Sequence, residues 1–460
     1  MRLRVAFFFL SPFVLLGGSA LAATAGTKLK GQVAEAAAQD NAAGANALLQ
    51  HLGQAFQMVQ QQGKNPMALR EWEEIVNDCQ DAVAKMRSPE AHKYFVSVLS
   101  RVSQPTQAVL VRGLTKHPPE KEVIAPVVKL LDTTNSLDLQ VASIELLGRY
   151  RAVEGVVSIL KQLRPNNAVC LQVVACRALG SIPDKQAVAP LIKYLKDLKG
   201  GRMRFEANAA LRALTGQNFN ADAGTWDGWW QKNQADFKPV AEPQMVLNYE
   251  LKVAEKEELT FYEIPLVENR IVFLFDLSGS MSLGGMPSRL GKTREQLKGL
   301  LNQLDETKAL FNIITFDSNV KRWSRDQPLV PASAVNKKSA CAFLDATKPA
   351  GTTSTIEAME EALREIALLN GVEAIFLLTD GMPTPLMAHS NVRTLADVPK
   401  GVGDIRRRFC FINQTLKVRI HTIGVFTRVA GDPTEPVQDA LKKFLRDVAA
   451  DNDGVYKEVP

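Results

Sequence analysis

Oxygen-bearing side chains recur at every second position where one apolar run ends. Residues 271–275 are apolar, and they lead directly into Asp276, Ser278 and Ser280. A short apolar run of this kind is typical of a buried strand. In open α/β sheets, ligands bind beyond the carboxyl ends of the strands, where loops converge. The spacing therefore places one carboxylate and two hydroxyls where a ligand could bind.

Two further loops offer oxygen ligands in the same way. The glycine-containing loop AGTTST, residues 350–355, presents Thr352 ahead of a helical pattern, and the apolar run LLTDG, residues 377–381, ends at Asp380. Two carboxylates and three hydroxyls suit a hard divalent cation in near-octahedral geometry. The three loops contain no His or Cys, which argues against zinc. We expect one cation, most suitably Mg²⁺, with Mn²⁺ or Ca²⁺ as alternatives. The expected ligands are Asp276, Ser278, Ser280, Thr352 and Asp380.

In these motifs the sequence resembles a von Willebrand factor type A domain with the metal-ion-dependent adhesion site (MIDAS) of that family. The family's D-x-S-x-S motif is matched in full at residues 276–280, its threonine falls on Thr352 and its second aspartate on Asp380. Ala-Gly precedes Thr352, where Gly-Gly is commoner in the family. The resemblance covers about residues 269–460 and implies a metal that binds an acidic residue of a partner protein. Uncharged Ser and Thr ligands would leave such a metal electrophilic.

The elements that must position these residues alternate from residue 269 onwards. Apolar runs IVFLFDL, LFNIITF, EAIFLLT and VRIHTIGVF alternate with helical patterns at about 292–304, 355–369 and 435–449. Strands that alternate with helices predict a parallel sheet covered on both faces. We therefore expect a doubly wound, Rossmann-like α/β domain over residues 269–460.

A different pattern, of repeated amphipathic helices, occupies residues 91–236. VASIELLG, VVACRALG and EANAALRALTG each end in a glycine, at Gly148, Gly180 and Gly216, where a left-handed C-cap would stand. This two-helix unit resembles HEAT-like repeats, which stack on their neighbours into an α-solenoid. An irregular helical bundle is the alternative. The following TWDGWW, residues 225–230, predicts a capping helix on the last repeat.

The start of the chain has the features of a signal peptide. Arg2 and Arg4 precede an apolar run of about a dozen residues and an A-x-A motif ending at Ala22. We expect residues 1–22 to be cleaved and the protein to be exported, to the periplasm or outside the cell. An uncleaved anchor is the alternative, but the run is shorter than the roughly 20 residues of a spanning helix. No later stretch is long and apolar enough to span a membrane.

The remaining segments complete the predicted domain order. Residues 23–90 contain an Ala-rich segment, expected to be poorly ordered before Leu48, followed by amphipathic N-terminal helices. Residues 237–268 lose the helical period and contain three prolines, which indicates a linker with at most a short strand or two. The predicted chain is thus multidomain, with an α-solenoid followed by a doubly wound α/β sheet.

Charge and cysteine content exclude some classes of function. The formal net charge of +6 is small and evenly spread, so nucleic acid is not an expected partner. The one dense basic run, Arg406–Arg408, is expected to be a solvated helix face. Five cysteines show neither a disulfide framework nor a metal-ligand spacing. Buried thiols are the default, and a Cys341–Cys410 bridge is left open.

Three functions were weighed from these residues. The first is an exported, adhesion-type binding protein whose metal binds an acidic residue of a partner protein, with the repeats as a second interaction surface. The second is a structural envelope scaffold in which the metal only stiffens the loops. The third is a metal-dependent phosphatase of the haloacid-dehalogenase type, which needs D-x-D but has Ser278 at the second position. No other catalytic arrangement stands out, so we expect no enzyme. The oligomeric state is left open.

Overall fold

The chain has an all-helical N-terminal part and an α/β C-terminal part. The computed structural model describes residues 19–62, 65–198, 200–246, 259–285, 287–381, 383, 398–426 and 438–459. This architecture confirms the predicted multidomain fold, a helical solenoid followed by an α/β sheet. Most of the expected signal peptide lies outside the described residues, so its cleavage stays a prediction. Among the described residues, no helix has the length and apolar character to cross a membrane.

The described N-terminal residues form helices in two stacked layers. Consecutive odd-numbered helices from α3 to α11 pack against one another in one layer, and even-numbered helices form the other. Each pair buries its apolar face against its neighbours, as in a solenoid. The helices are α1 Ser19–Gln39, α2 Ala42–Gln62, α3 Pro66–Lys85, α4 Pro89–Val98, α5 Gln104–Leu114, α6 Lys121–Thr133, α7 Leu137–Arg149, α8 Val156–Leu160, α9 Val169–Ser181, α10 Val188–Asp197, α11 Arg202–Thr215 and α12 Ala223–Asn233.

The Ala-rich segment is helical, and the expectation that it is poorly ordered before Leu48 was wrong. Helix α1 already begins at Ser19, and Leu29, Val33 and Ala36 are buried on one stripe of it. Alanine is the best helix former, so its abundance favours order once a few apolar residues find a neighbour. A sparse stripe among many alanines gives only a weak amphipathic signal.

The repeat glycines do not share one role. Gly216 ends α11 with φ +68°, the left-handed cap that was predicted. Gly148 and Gly180 lie inside α7 and α9 instead, so the cap prediction was wrong for them. A Cβ at Gly148 would lie 2.8 Å from Ala178 Cα, and one at Gly180 would lie 2.8 Å from Ala210 Cα. These glycines therefore allow consecutive helices of one layer to approach closely.

The predicted Trp-rich capping helix is present as α12. Trp226 is fully buried, and its indole Nε1 donates to Asn208 Oδ1 at 3.0 Å. Trp230 is also buried, and both indoles belong to the apolar core of the solenoid. Helix α12 packs on α10, and we propose that it caps the stack.

The C-terminal part is built on a mixed sheet with a parallel centre. Its described strands are β3 Arg270–Asp276, β4 Leu310–Phe316, β5 Val320–Arg322, β6 Val330–Pro331, β7 Ala374–Thr379, β8 Arg419–Val425 and β9 Tyr456–Val459, and β1 Thr260–Phe261 and β2 Ile264–Pro265 form a separate antiparallel pair. The order is β5-β4-β3-β7-β8-β9, with β3, β4, β7, β8 and β9 parallel and β5 and β6 antiparallel to β4. The four apolar runs of the sequence are thus the four central strands.

Helices cover both faces of this sheet, as the alternating pattern predicts. They are α13 Arg289–Gln303, α14 Ala334–Asp345, α15 Thr355–Glu360, α16 Leu368–Asn370, α17 Val398–Leu416 and α18 Gln438–Asp451. A π-helical segment, Glu361–Ala367, joins α15 to α16. Side chains of β3 alternate between the faces: Val272 and Leu274 pack towards α15, α17 and α18, and Phe273 packs towards α13 and α14.

The short β1–β2 pair belongs to the core of the α/β part. Phe261 is buried, and its ring centroid lies 5.8 Å from that of Phe273 and 5.6 Å from that of Phe376.

The chain after α12 is still attached to the solenoid at Val240, whose amide donates to Leu214 O. We propose that the connection between the two parts lies between these anchors, within the predicted linker. Residues 247–258 are outside the described residues.

The two parts are in direct contact, which corrects the expectation for the basic run. The Arg407 Nη2 donates to Asp78 of α3 at 2.9 Å, and Arg408 pairs with Glu73 at 3.2 Å. Arg407 and Arg408 therefore lie at an interface rather than on a solvated face, because acidic residues of α3 lie opposite them. Arg406 pairs instead with Asp447 of α18 at 3.0 Å. Cys410 is on α17 and Cys341 on α14, over opposite faces of the sheet, so both thiols are free.

Candidate metal centre

Asp276 is the last residue of β3 and therefore lies at the edge of the sheet. Its side chain is fully buried, and its Oδ1 accepts the Ser278 backbone N–H at 2.7 Å. Its Oδ2 accepts the hydroxyl of Thr379, the last residue of β7. Because β3 and β7 are parallel neighbours, both strands end at the same edge. The carboxylate is thus fixed by the turn that follows it and by the adjacent strand.

The two serines and Asp380 form a continuous chain of hydrogen bonds. A 3₁₀ turn, Gly279–Ser282, brings the hydroxyl oxygens of Ser278 and Ser280 to 3.2 Å from each other. Ser280 Oγ then donates to Asp380 Oδ1 at 2.7 Å. Asp380 follows β7 directly and is fully buried. Four of the five predicted ligands therefore meet in one cluster.

Thr352 lies on the loop beside this cluster. Gly351 O accepts the Gly279 N–H at 3.2 Å, which attaches the threonine loop to the serine turn. Gly351 has φ +67°, and a Cβ there would lie 2.3 Å from Ser318 Oγ, so this position requires glycine. The Thr352 side chain is exposed, and its hydroxyl lies 3.1 Å from Ser318 Oγ. The structure thus places Thr352 next to the other four, with its hydroxyl paired to Ser318.

The electrostatics of the cluster favour a cation. Burial and the negative charge of Asp380 raise the pKa of Asp276 to about 7. The larger cause is burial, which disfavours the charged form, and the repulsion from Asp380 adds to it. Asp380 is paired on its other oxygen with Arg289, whose Nη1 lies 2.9 Å from Oδ2. Asp380 therefore has a cationic partner, whereas Asp276 accepts hydrogen bonds from the Ser278 amide and the Thr379 hydroxyl.

The donor set fits a hard divalent cation. Two buried carboxylates and neighbouring hydroxyls are oxygen ligands of the kind that Mg²⁺ and Mn²⁺ prefer. A dication would relieve the repulsion that raises the pKa of Asp276, and it would supply a positive charge able to attract an acidic group. In the ranges that the structure describes, no three His, Cys, Asp or Glu side chains come together as an alternative metal cluster.

Several residues of the site were not predicted. Ser318 and Thr379 stand at or just beyond the ends of β4 and β7, so the rule that led to Asp276 could also have led to them. Arg289 begins α13 after a loop, and no sequence signal connects it with Asp380.

The fold and the cluster define the class of this part of the protein. Residues 269–417 match the family model described as von Willebrand factor type A domain. The C-terminal part is therefore a von Willebrand factor type A domain, as the three motifs indicate.

The similar proteins match part of this chain. Human inter-alpha-trypsin inhibitor heavy chain H2 is 27% identical over 188 residues, and the match covers 34% of this chain and 19% of that protein. Mouse inter alpha-trypsin inhibitor, heavy chain 4, is 27% identical over 188 residues, and the match covers 35% of this chain and 19% of that protein. The chain thus spans a minor part of the length of these relatives. A solved structure of proximal thread matrix protein 1 from the mussel byssus, with a zinc-occupied MIDAS motif, is 21% identical; the match covers 41% of this chain and 40% of that chain, with a TM-score of 0.28.

Proposed function

We propose that this is an exported binding protein that captures an acidic residue of a partner protein through a divalent cation. The observation that carries this proposal is the hydrogen-bonded cluster of two fully buried carboxylates and two serines at the ends of β3 and β7. Burying two such carboxylates side by side is costly unless a cation compensates them. Export rests on the predicted signal peptide alone.

Each proposed ligand has a distinct part in this function. Asp276 and Asp380 supply the charge that holds the ion, and Ser278 and Ser280 supply neutral oxygens that leave it electrophilic. Thr352 is exposed on a separate loop, which suits a ligand near the side that a partner approaches. Mg²⁺ is the proposed ion because it accepts oxygen ligands and keeps some of its waters.

The proposed second interaction surface is one of the two helical layers of the solenoid. Helices α3, α5, α7, α9 and α11 form the layer that contacts the type A domain. That layer is therefore already occupied within the chain. The surface left for a partner is the layer of even-numbered helices, on the far side of the solenoid.

Calorimetric titration of the full chain tests the metal site. MgCl₂ or MnCl₂ added at about pH 8, above the raised pKa of Asp276, should bind to the wild type with one ion per chain. Asp276→Ala removes a carboxylate that faces the ion and should abolish binding while the protein stays folded, because the core is the sheet. Asp236→Ala, an exposed position in the segment after α12, is the matched control and should bind like the wild type.

The same variants separate the alternatives. Pull-downs from envelope and culture fractions, with and without chelator, should recover a partner only when the metal and Asp276 are both present. Metal binding without any chelator-sensitive partner would favour the structural scaffold. Unchanged metal binding in Asp276→Ala would place the ion elsewhere, and no binding in the wild type would refute the metal site.

A further inference from the structure

A fully buried arginine lies beside the candidate metal site. Arg289 is the first residue of α13, and its side chain and that of Asp380 are both 0% exposed. The backbone holds it in place: its N–H donates to Leu283 O at 2.8 Å, and its carbonyl accepts the Thr293 hydroxyl at 2.6 Å. Arginine keeps its charge in proteins, so this is a permanent positive charge inside the domain.

Two contacts of the Asp380 carboxylate lie on different oxygens. Oδ1 accepts the Ser280 hydroxyl at 2.7 Å, and Oδ2 accepts Arg289 Nη1 at 2.9 Å. Ser280 in turn contacts Ser278, so one oxygen of Asp380 belongs to the proposed ligand cluster and the other belongs to the guanidinium. A cation held by this cluster and the charge of Arg289 would therefore share one carboxylate.

We propose that Arg289 is a positioning residue that sets the affinity of the metal site. In the metal-free protein it pairs with the Asp380 carboxylate and orients it, which keeps the site formed. When the cation binds, the guanidinium opposes it, so binding is weaker than the two carboxylates alone would give. The inference rests on the proposed metal site, and it adds a residue that lies outside the five-residue motif.

The size of the opposition follows from charge and distance. A dication and a guanidinium that share one carboxylate lie only a few ångströms apart. Even at an effective dielectric constant of about 20, their repulsion exceeds the free energy that changes a dissociation constant about tenfold. Removing the charge of Arg289 should therefore strengthen cation binding by at least about tenfold, although the apo domain loses a stabilising partner for Asp380.

Three variants of the full chain separate charge from hydrogen bonding. Arg289→Met removes both, Arg289→Gln keeps an N–H donor without the charge, and Arg289→Lys keeps the charge. Calorimetry with MgCl₂ gives the Kd, and thermal unfolding with EDTA and with MgCl₂ gives the Tm in each state. We expect a lower Tm in EDTA, a larger rise of Tm with Mg²⁺ and a Kd at least about tenfold lower for the Met and Gln variants. The Lys variant should retain a Kd close to that of the wild type.

The outcomes distinguish this inference from the metal site itself. If the wild type binds Mg²⁺ but the Gln and Met variants bind it equally or more weakly while folded, Arg289 does not oppose the ion and the inference fails. Arg289→Gln decides this point even if Arg289→Met does not fold. If the wild type binds no metal and Arg289→Gln does, Arg289 takes the place of the cation, which overturns both proposals. If neither binds, the metal site itself fails.

Discussion

At the scale of single residues, His421 shows how burial fixes a charge state. It lies in β8, fully buried, with its ring stacked on Phe376 and its Nδ1 accepting the Val455 N–H at 3.1 Å. Burial and the nearby charges of Arg419 and Arg202 hold the pKa of His421 well below its usual value of 6.5. The folded protein therefore keeps this imidazole neutral at pH values where the unfolded chain would protonate it.

The stability of the protein should fall as the pH decreases through the unfolded pKa of His421. Below about pH 6.5 the unfolded state binds a proton that the folded state does not, and the cost approaches about 1.4 kcal/mol per pH unit. His421→Gln removes this contribution, so its free energy of unfolding should depend less steeply on pH between about 7.5 and 5. Urea unfolding at several pH values measures both slopes.

The pH range above about 7.5 is an internal control for the two stability curves. Above about pH 7.5 neither protein should show a contribution from this residue, so the two curves should run parallel there. His117, whose pKa is also lowered by burial, is present in both proteins and cancels from the difference. Equal slopes below pH 6.5 would show that His421 is protonated in the folded state, contrary to its buried position.

The candidate site was predictable from sequence only where its residues follow strands. Asp276, Ser278 and Ser280 form one local motif, and Asp380 ends another apolar run, so periodicity was enough to place them. The direct contact of Ser280 with Asp380 confirms that the two loops meet. Arg289 could not be found in this way, because its role depends on a contact across 91 positions of the chain. One arginine at the start of a helix has no pattern that points to such a partner.

At the scale of helices and strands, the glycines of the solenoid have a role that sequence alone does not resolve. A glycine near the end of a helical pattern indicates a C-cap, and Gly216 is one. Gly148 and Gly180 have the same local sequence signature but sit where the next helix of the layer approaches. The two roles differ only in the position of a neighbouring helix, which the local pattern does not contain.

Gly148→Ala should destabilise the solenoid. The added methyl would lie 2.8 Å from Ala178 Cα and Cβ, so α7 and α9 would have to move apart. Overpacking of this kind typically costs about 1–3 kcal/mol of unfolding free energy. Gly228→Ala in α12 is the matched control, because its methyl would meet nothing within 4 Å and the residue is exposed. There the higher helix propensity of alanine should stabilise by up to about 1 kcal/mol.

Denaturant unfolding monitored by circular dichroism measures both changes. Opposite signs for the two Gly→Ala variants would support close helix contact at Gly148. A gain of stability at Gly148 as large as that at Gly228 would mean that α7 and α9 can separate at no cost.

The four central strands of the sheet could be predicted without knowing their neighbours, since strongly apolar runs between helical patterns already predict buried parallel strands.

At the scale of the whole molecule, the helical layer and the type A domain share an interface rich in ion pairs. Arg70 of α3 donates to Glu360 of α15 at 2.7 Å, and Arg364 of the π-helical segment donates to Glu73 at 2.6 Å. Helix α15 begins at Thr355, just after the Thr352 loop, so the solenoid contacts the helix that follows that part of the site. Sequence patterns predicted both domains but not their contact, because charged residues at an interface have the same spacing as charged residues in water.

This interface should make the two parts unfold together. Arg202 of α11 is fully buried, and its Nη1 donates to Lys417 O at 2.7 Å and to Glu373 O at 3.2 Å, both in the type A domain. Its Nε donates to the buried Glu206 at 3.1 Å. Removing one partner of a buried ion pair typically costs about 3–5 kcal/mol. Arg177 also pairs with Glu206, at 2.8 Å, so we expect the loss of Arg202 to cost an amount near the lower end of that range. We therefore expect one cooperative transition in the wild type.

Differential scanning calorimetry of Arg202→Met tests this coupling. Loss of the Arg202 side chain should lower the Tm and divide the single transition into two, because the solenoid and the type A domain have separate apolar cores. Lys161→Met is the matched control: Lys161 forms an exposed pair with Asp132 within the solenoid, and its loss should change the free energy of unfolding by less than about 1 kcal/mol. Two transitions already present in the wild type would show that the ion pairs between the parts contribute too little to couple them, and the type A domain would then fold independently of the solenoid.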